Sequence, residues 1–167
     1  MVVIKPFEDS HFDLATPISK LTYWPDLWEP REAFSIRMKL FPGGCLSAFI
    51  DATLDGNYGI SQYAGYVFSH PWKGNYIDLA TVINELPADP DHYYIHDLLV
   101  NPNLRGYGIG TALFNAILPV AYHLRLPEMR LVSVLNSHPF WTKLGFEEID
   151  SFYYAKNTPA KFMVKKL

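Results

Sequence analysis

Arg105-Gly106-Tyr107-Gly108-Ile109-Gly110 places three glycines in five positions, between a strand-like apolar run, Tyr93 to Val100, and a helix-like run, Thr111 to His123. Glycine has no Cβ, so a ligand can approach its backbone closely. At a helix start the free N–H groups face outward, with the positive end of the helix dipole behind them. Such residues at such spacing form a nest for a phosphate or pyrophosphate. Arg105 adds a fixed positive charge at its rim. The loop is not a Walker loop, because no Gly-Lys-Ser/Thr follows. It fits the dinucleotide fingerprint poorly, since the third glycine of G-x-G-x-x-G would fall at Thr111.

From Arg105 through Gly108 to Gly110 the loop reads Arg-x-x-Gly-x-Gly. Preceded by YYIHDLLVNPNL and followed by TALFNAILPVAY, it resembles the coenzyme A loop of the GNAT superfamily of acetyltransferases. Downstream, NSHPFWTKLGFEEID resembles that superfamily's other coenzyme A segment, which usually ends in Tyr-x-Lys-Leu-Gly-Phe. The two segments stand in the expected order and at the expected separation, and together span about the C-terminal half of the chain.

The resemblance implies acetyl-coenzyme A as co-substrate, with no metal. It assigns the diphosphate to Arg105, Gly106, Tyr107, Gly108, Ile109, Gly110 and Thr111, Ile109 contributing only its backbone. Leu98, Leu99 and Val100 would form the other wall. In the family this strand carries a bulge and splays from its neighbour, and the pantetheine arm pairs with the freed edge as a substitute strand. An N–H of Leu98 or Leu99 would polarise the thioester carbonyl. Asn136 would contact the pantetheine arm; its plain alternative is a turn asparagine. Trp141 departs from the family pattern. It stands where many relatives carry a Tyr that protonates the departing thiolate, and indole is no useful acid at neutral pH. Phe140 and Trp141 read better as an apolar wall. Tyr107, Tyr153, Tyr154 and solvent remain open as the proton source.

His96 and Asp97 lie on the strand leading to the loop. An amine nucleophile must be neutral, so a base has to take its proton, directly or through water. An unperturbed His titrates near neutrality and suits the task. Successive strand residues face opposite sides, so only one of the two should reach a given cleft. In the plain alternative Asp97 caps a backbone group and His96 is a packed polar residue. His70, beside Trp72, is expected to end a strand and could line the acceptor pocket. Tyr23, Trp24 and Trp28 fall in the segment that helps form that pocket in the family, where aromatics suit an apolar or cationic acceptor. A satellite hydrophobic cluster is the alternative.

These parts need a scaffold. The 167 residues suit one domain, residues 1–167, and 49% apolar content argues against disorder. The net charge is −3 with scattered basic residues, so no nucleic-acid stripe is expected. Cys45 is the single cysteine, which excludes an internal disulfide and a cysteine-based metal cluster. No apolar segment is long enough to span a membrane and no signal-peptide pattern opens the chain, so a cytoplasmic protein is expected. Hydrophobic periodicity and turn residues give the order βααβββαβαββ. That is an α/β (α+β) chain with a mixed central sheet flanked by helices, the order of the GNAT fold. Pro17 should break or kink the first helix, and Pro119 should kink the one after the glycine loop. His70-Pro71-Trp72 should end a strand, a helical turn is expected near Leu79 to Asn84, and the last strand should start at Phe162.

Two functions from different classes follow. One is acetyl transfer from acetyl-coenzyme A to a primary amine of a small molecule or peptide, with Leu98 polarising the carbonyl and His96 or Asp97 as base. The other is a coenzyme A-binding sensor without turnover, favoured by Trp141. A nucleotide-binding α/β protein is a third reading. A homodimer is left open by the sequence.

Overall fold

The computed structural model describes residues 1–51 and 61–167. The hairpin-like turn expected in DATLDGNYG lies outside these, save Asp51. The elements run β1 (Val2–Pro6), α1 (Phe12–Thr22), α2 (Arg31–Leu40), β2 (Cys45–Ile50), β3 (Gln62–Trp72), β4 (His92–Val100), α3 (Ile109–His123), β5 (Glu128–Ser133), α4 (His138–Lys143), β6 (Glu147–Tyr154) and β7 (Thr158–Lys166). The order is the expected one. The strands form one sheet, β1-β2-β3-β4-β5-β7-β6. Every pairing is antiparallel except β4 with β5, which α3 joins as a crossover.

Helices cover both faces. Phe12, Ala15 and Ile18 of α1 pack with Phe49, Tyr66 and Phe68 on one side. Ile109, Leu113, Ile117 and Ala121 of α3 repeat at the four-residue helical spacing and pack on Ala48, Val67, Tyr93 and Ile95 on the other.

Helix α1 continues through Pro17 instead of breaking there, and α3 continues through Pro119. A helical proline orphans the carbonyl four residues earlier. Both prolines are exposed, as are Asp13 and Asn115 before them, so water can take those carbonyls. Strand β3 does not end at His70. It continues through Pro71 to Trp72, paired with Tyr93 and His92. The β2 ladder stops at Phe68, so Pro71 interrupts no bond on that side. Between Trp72 and β4, one tight turn, Thr81 N–H to the Asp78 carbonyl at 3.2 Å, replaces the expected helical turn. Likewise β7 starts at Thr158, because Pro159 lies beyond the end of the β5 ladder.

Two irregularities in β4 shape the centre of the molecule. Phe68 pairs with Asp97 and Ser69 with Ile95, leaving His96 as the extra, bulged residue. Pairing of β4 with β5 covers only Tyr93 to Ile95, against Met129 to Leu131. Past that point the two strands part.

Candidate active site

The parted strands open a cleft of about 580 Å³. One wall is Leu98, Leu99 and Val100; Arg105, Gly106, Gly108, Ile109, Gly110 and Thr111 form the head. Asn136, Phe140 and Trp141 stand opposite. Asn101 donates its N–H to the Ala64 carbonyl at 2.8 Å. Backbone groups alternate along an antiparallel strand. Leu99 therefore turns its N–H and C=O toward β3, and Leu98 and Val100 turn theirs toward the gap. Of the two candidate donors, Leu98 is the one aimed into the cleft.

The three glycines serve different purposes. Gly106 and Gly108 have φ of +87° and +76°, and a Cβ on either would meet nothing within 4 Å. Their requirement is the left-handed backbone, which turns the chain and opens α3 with Gly108 as its N-cap. Gly110 has an ordinary backbone. A Cβ there would lie 3.0 Å from the Phe140 ring, so its absence lets α3 and α4 close together. Tyr107 does not line the cleft; its side chain is 68% exposed. Across the cleft Leu135 and Asn136 are both left-handed, with φ of 53° and 57°. For a leucine this is strain of about 1–3 kcal/mol, and it turns the chain from β5 into α4 with both residues on the cleft wall.

Behind the cleft lies a smaller cavity of about 70 Å³, the throat. Its walls include Tyr23, Leu98, Val134, Ser137 and Trp141, which also line the cleft. His96 and Asp97 both line it, contrary to the alternation expected of a regular strand. The bulge at His96 resets the phase, so two consecutive residues face α1 and α2. Phe34 of α2 touches the His96 ring, at 5.8 Å between centroids. His96 Nε2 lies 2.8 Å from Glu29 Oε1. Glu29 also accepts the Ala80 N–H at 2.9 Å. Burial alone would raise the Glu29 pKa; His96 and the Ala80 N–H outweigh it and hold the pKa below the usual carboxylate range. Nδ1 of His96 finds no partner among the described residues.

Asp97 accepts from the Tyr23 hydroxyl at 2.6 Å and from the Tyr66 hydroxyl at 2.8 Å. Burial pushes its pKa up to about 6, against the lowering effect of the phenol hydrogen bonds and His96. Burial, and then the charge of Asp97, push the Tyr23 hydroxyl far above the ordinary phenol value. Tyr23 thus holds a proton in reach of both throat and cleft. Tyr153 is exposed, and the Tyr154 hydroxyl is engaged with the Ile77 carbonyl at 2.7 Å.

His70 is not brought to the site. It is fully buried among Trp72 and Tyr94, and burial takes its pKa down to about 3, so it stays neutral. Trp28 misses the throat. Its indole donates to the Tyr23 carbonyl at 2.7 Å, and its ring borders a third cavity between α1 and α2. Trp24 ties the same segment to β7 through the Thr158 hydroxyl at 3.1 Å. Glu29, Tyr66, Ser137 and Lys143 are site residues that the sequence reading does not reach. For Glu29 the only signal was an acidic residue in an aromatic turn. Among the described residues no His, Cys, Asp and Glu side chains cluster for a metal, and no helix is long and apolar enough to cross a membrane.

A mixed sheet with a bulged β4, a gap to β5 and a glycine-rich helix start is the architecture of an acyl-coenzyme A transferase. Residues 12–146 match the acetyltransferase (GNAT) family, and the chain belongs to that family. No curated protein matches it in sequence. Ard1 from Thermoplasma volcanium is 15% identical, covering 99% of this chain and 97% of that one, with a TM-score of 0.73. Naa50 of Arabidopsis thaliana, solved with a bisubstrate analogue, is 18% identical over 99% of both chains, with a TM-score of 0.68. The loading GNATL domain of CurA from Lyngbya majuscula is 11% identical, covering 99% and 98%, with a TM-score of 0.77. At these identities the likeness to solved structures speaks for the fold.

Proposed function

We propose that the protein transfers an acetyl group from acetyl-coenzyme A to a primary amine of a small molecule or peptide, by direct attack. One observation carries the reading: the free edge of β4, the glycine loop and the polar throat open into each other at the gap between β4 and β5. The likeness to Naa50, whose solved structure holds a bisubstrate analogue, supports a peptide amino group among the acceptors.

The residues present fit coenzyme A. Main-chain N–H groups from Gly106 to Gly110, with Arg105, are suited to a diphosphate, and nothing stands where a Cβ would crowd it at Gly106 or Gly108. The free groups of Leu98 and Val100 suit the amides of a pantetheine arm. Acetyl-coenzyme A supplies the activated acyl group as its thioester. Leu98 N–H donates to the acyl oxygen as charge grows there. Asp97 is ionised at neutral pH and takes the proton of the amine, through water. The Glu29–His96 pair positions the amine and favours its approach as a cation. The proton Asp97 gains is relayed through Tyr23, whose phenol gives its proton to the departing sulfur as it receives one from Asp97. Tyr107 and Tyr153 are exposed and the Tyr154 hydroxyl is held by the Ile77 carbonyl, so Tyr23 takes the acid role.

The test incubates the purified protein with acetyl-coenzyme A and a panel of amines while free thiol is followed. Thiol release that requires an amine supports the transferase. Trp141 in the usual tyrosine position favours a second reading, a coenzyme A-binding sensor. Tight coenzyme A binding with no thiol release from any amine would establish that reading instead.

A further inference from the structure

A third cavity, of about 150 Å³, lies between α1 and α2 above β3. It shares Ser19, Glu29 and Phe34 with the throat. The throat in turn shares Tyr23, Leu98 and Trp141 with the cleft. Cleft, throat and chamber therefore adjoin in that order at the place where β4 and β5 part, with Ser19, Glu29 and Phe34 between the last two. Their chemistry changes along the way. The throat carries Glu29, His96 and Asp97. The chamber beyond is walled by Phe7, Phe12, Phe34 and Phe68, with Ala15 leaving room among the rings. Two cations stand at its outer rim. Lys20 lies over the Trp28 ring at 5.6 Å, and Arg31 over the Phe12 ring at 4.4 Å.

We propose that this chamber is the specificity pocket of the acceptor, and that it selects a primary amine bearing an apolar body about the size of a benzyl group. The inference rests on the acetyltransferase reading and names its substrate class. The chamber is open to solvent past Lys20 and Arg31, and its four phenylalanines offer an apolar group a burial that water does not. Its volume suits a benzene-sized group. The order of the chambers also suggests the pose. An ammonium is drawn to Glu29 and Asp97 with its apolar body in the chamber, and once Asp97 has taken its proton through water the nitrogen presents a lone pair to the cleft. A short alkylamine satisfies the throat and leaves the chamber unfilled. Burying a phenyl ring is worth roughly 10- to 200-fold in kcat/KM.

The test compares kcat/KM for phenethylamine, phenylalanine amide and a peptide beginning with Phe against ethylamine, glycine amide and a peptide beginning with Gly. The expected result is a preference of at least tenfold for the phenyl-bearing member of one or more pairs; the pair with the fastest member tells a small amine from a peptide. Thr16→Trp, at an exposed chamber position on α1, and Ala15→Leu, deeper in, should each cut that preference about tenfold with the KM for acetyl-coenzyme A retained. Turnover of both members at equal efficiency in every pair overturns the chamber and leaves the transferase standing. So does a preference that both filled variants preserve. If no amine is acetylated, the transferase reading falls and the chamber is judged by the tryptophan fluorescence of the parent and of Trp28→Phe. A saturable change with phenethylamine and not ethylamine that is lost in Trp28→Phe upholds it; indifference to both amines, or a change that Trp28→Phe keeps, overturns it.

Discussion

Tyr23, the residue that ends α1, donates its phenol hydrogen to Asp97 Oδ1 across 2.6 Å, tying that helix to the bulge of β4. The bond puts a proton donor and a carboxylate of pKa about 6 side by side at the mouth of the throat. A hydrogen bond to the ionised form lowers a carboxyl pKa. Tyr23→Phe removes it, so the Asp97 pKa must rise. In a pH–rate profile the acid limb of kcat/KM should stand near pH 6 in the parent protein and move to higher pH in the variant. With the phenol proton gone, kcat should also fall, by roughly 10²-fold or more. An unmoved acid limb with unchanged kcat would remove Tyr23 and Asp97 from the chemistry.

Glu29 and His96 offer a sharper division between structure and activity. Their side chains are 5% and 1% exposed, and His96 has Glu29 as its one side-chain hydrogen-bond partner among the described residues. Glu29→Ala leaves His96 Nε2 as orphaned as its Nδ1 and should cost about 3 kcal/mol of stability, as for a broken buried pair. Glu29→Gln keeps its one acceptor oxygen for the Ala80 N–H and can donate its amide N–H to His96 Nε2 in the tautomer protonated at Nδ1, so it should retain most of the melting temperature. Its kcat/KM for the amine should still fall roughly tenfold, since the charge that attracts the ammonium is gone, while the KM for acetyl-coenzyme A holds. Equal activity in Gln and parent proteins would reduce Glu29 to a structural role.

How these residues meet explains what the chain alone could reveal. The glycine loop was legible because its requirement is local: Gly106 and Gly108 need left-handed backbone wherever they sit. The element order was legible because apolar period and turn residues are also local. The shared orientation of His96 and Asp97 was not. It depends on a bulge, and the bulge exists only in the register of β4 on β3, where Ser69 skips to Ile95. Strict alternation gives the opposite answer. Glu29 joins His96 from across the fold, in a segment whose visible features were Trp28 and Pro30. His70 reads from the chain as a strand end, where it could line the pocket. The end of β2 at Phe68 makes Pro71 harmless and carries His70 into the core.

The loop glycines separate cofactor binding from packing. Gly110→Ala drives a methyl to about 3.0 Å from the Phe140 ring. Phe140 must give way, so both the melting temperature and the affinity for coenzyme A should fall. Gly108→Ala has open space but a left-handed backbone, and should cost about 1 kcal/mol. Arg105→Ala touches neither constraint. Its melting temperature without ligand should match the parent, while the stabilisation by coenzyme A, read as the rise in Tm at fixed ligand, should shrink. An unchanged Tm rise in Arg105→Ala would take the diphosphate away from this loop.

His70 gives the fold a predictable sensitivity to acid. Its side chain is wholly buried, and burial, with the nearby charges of Arg37, His96 and His92, holds its pKa to about 3, against the raising effect of the Pro71 carbonyl. In the unfolded chain the value is about 6.5. Between these limits the unfolded state binds more protons, so stability is full above pH 6.5 and is lost as pH falls toward 3. The whole effect is on the order of 5 kcal/mol. His92, also lowered by burial, adds in the same direction. Asp97 works against them: its folded pKa is raised, so the penalty for its charge disappears as pH falls below about 6. His70→Phe keeps an aromatic ring beside Trp72 and Tyr94 and has no proton to gain. Between pH 7.5 and pH 4.5 its melting temperature should therefore fall less than that of the parent. In Asp97→Asn the fall should be steeper than in the parent, because the compensating protonation is missing. Parallel melting curves for all three proteins across this range would mean that neither burial is felt by the folding equilibrium.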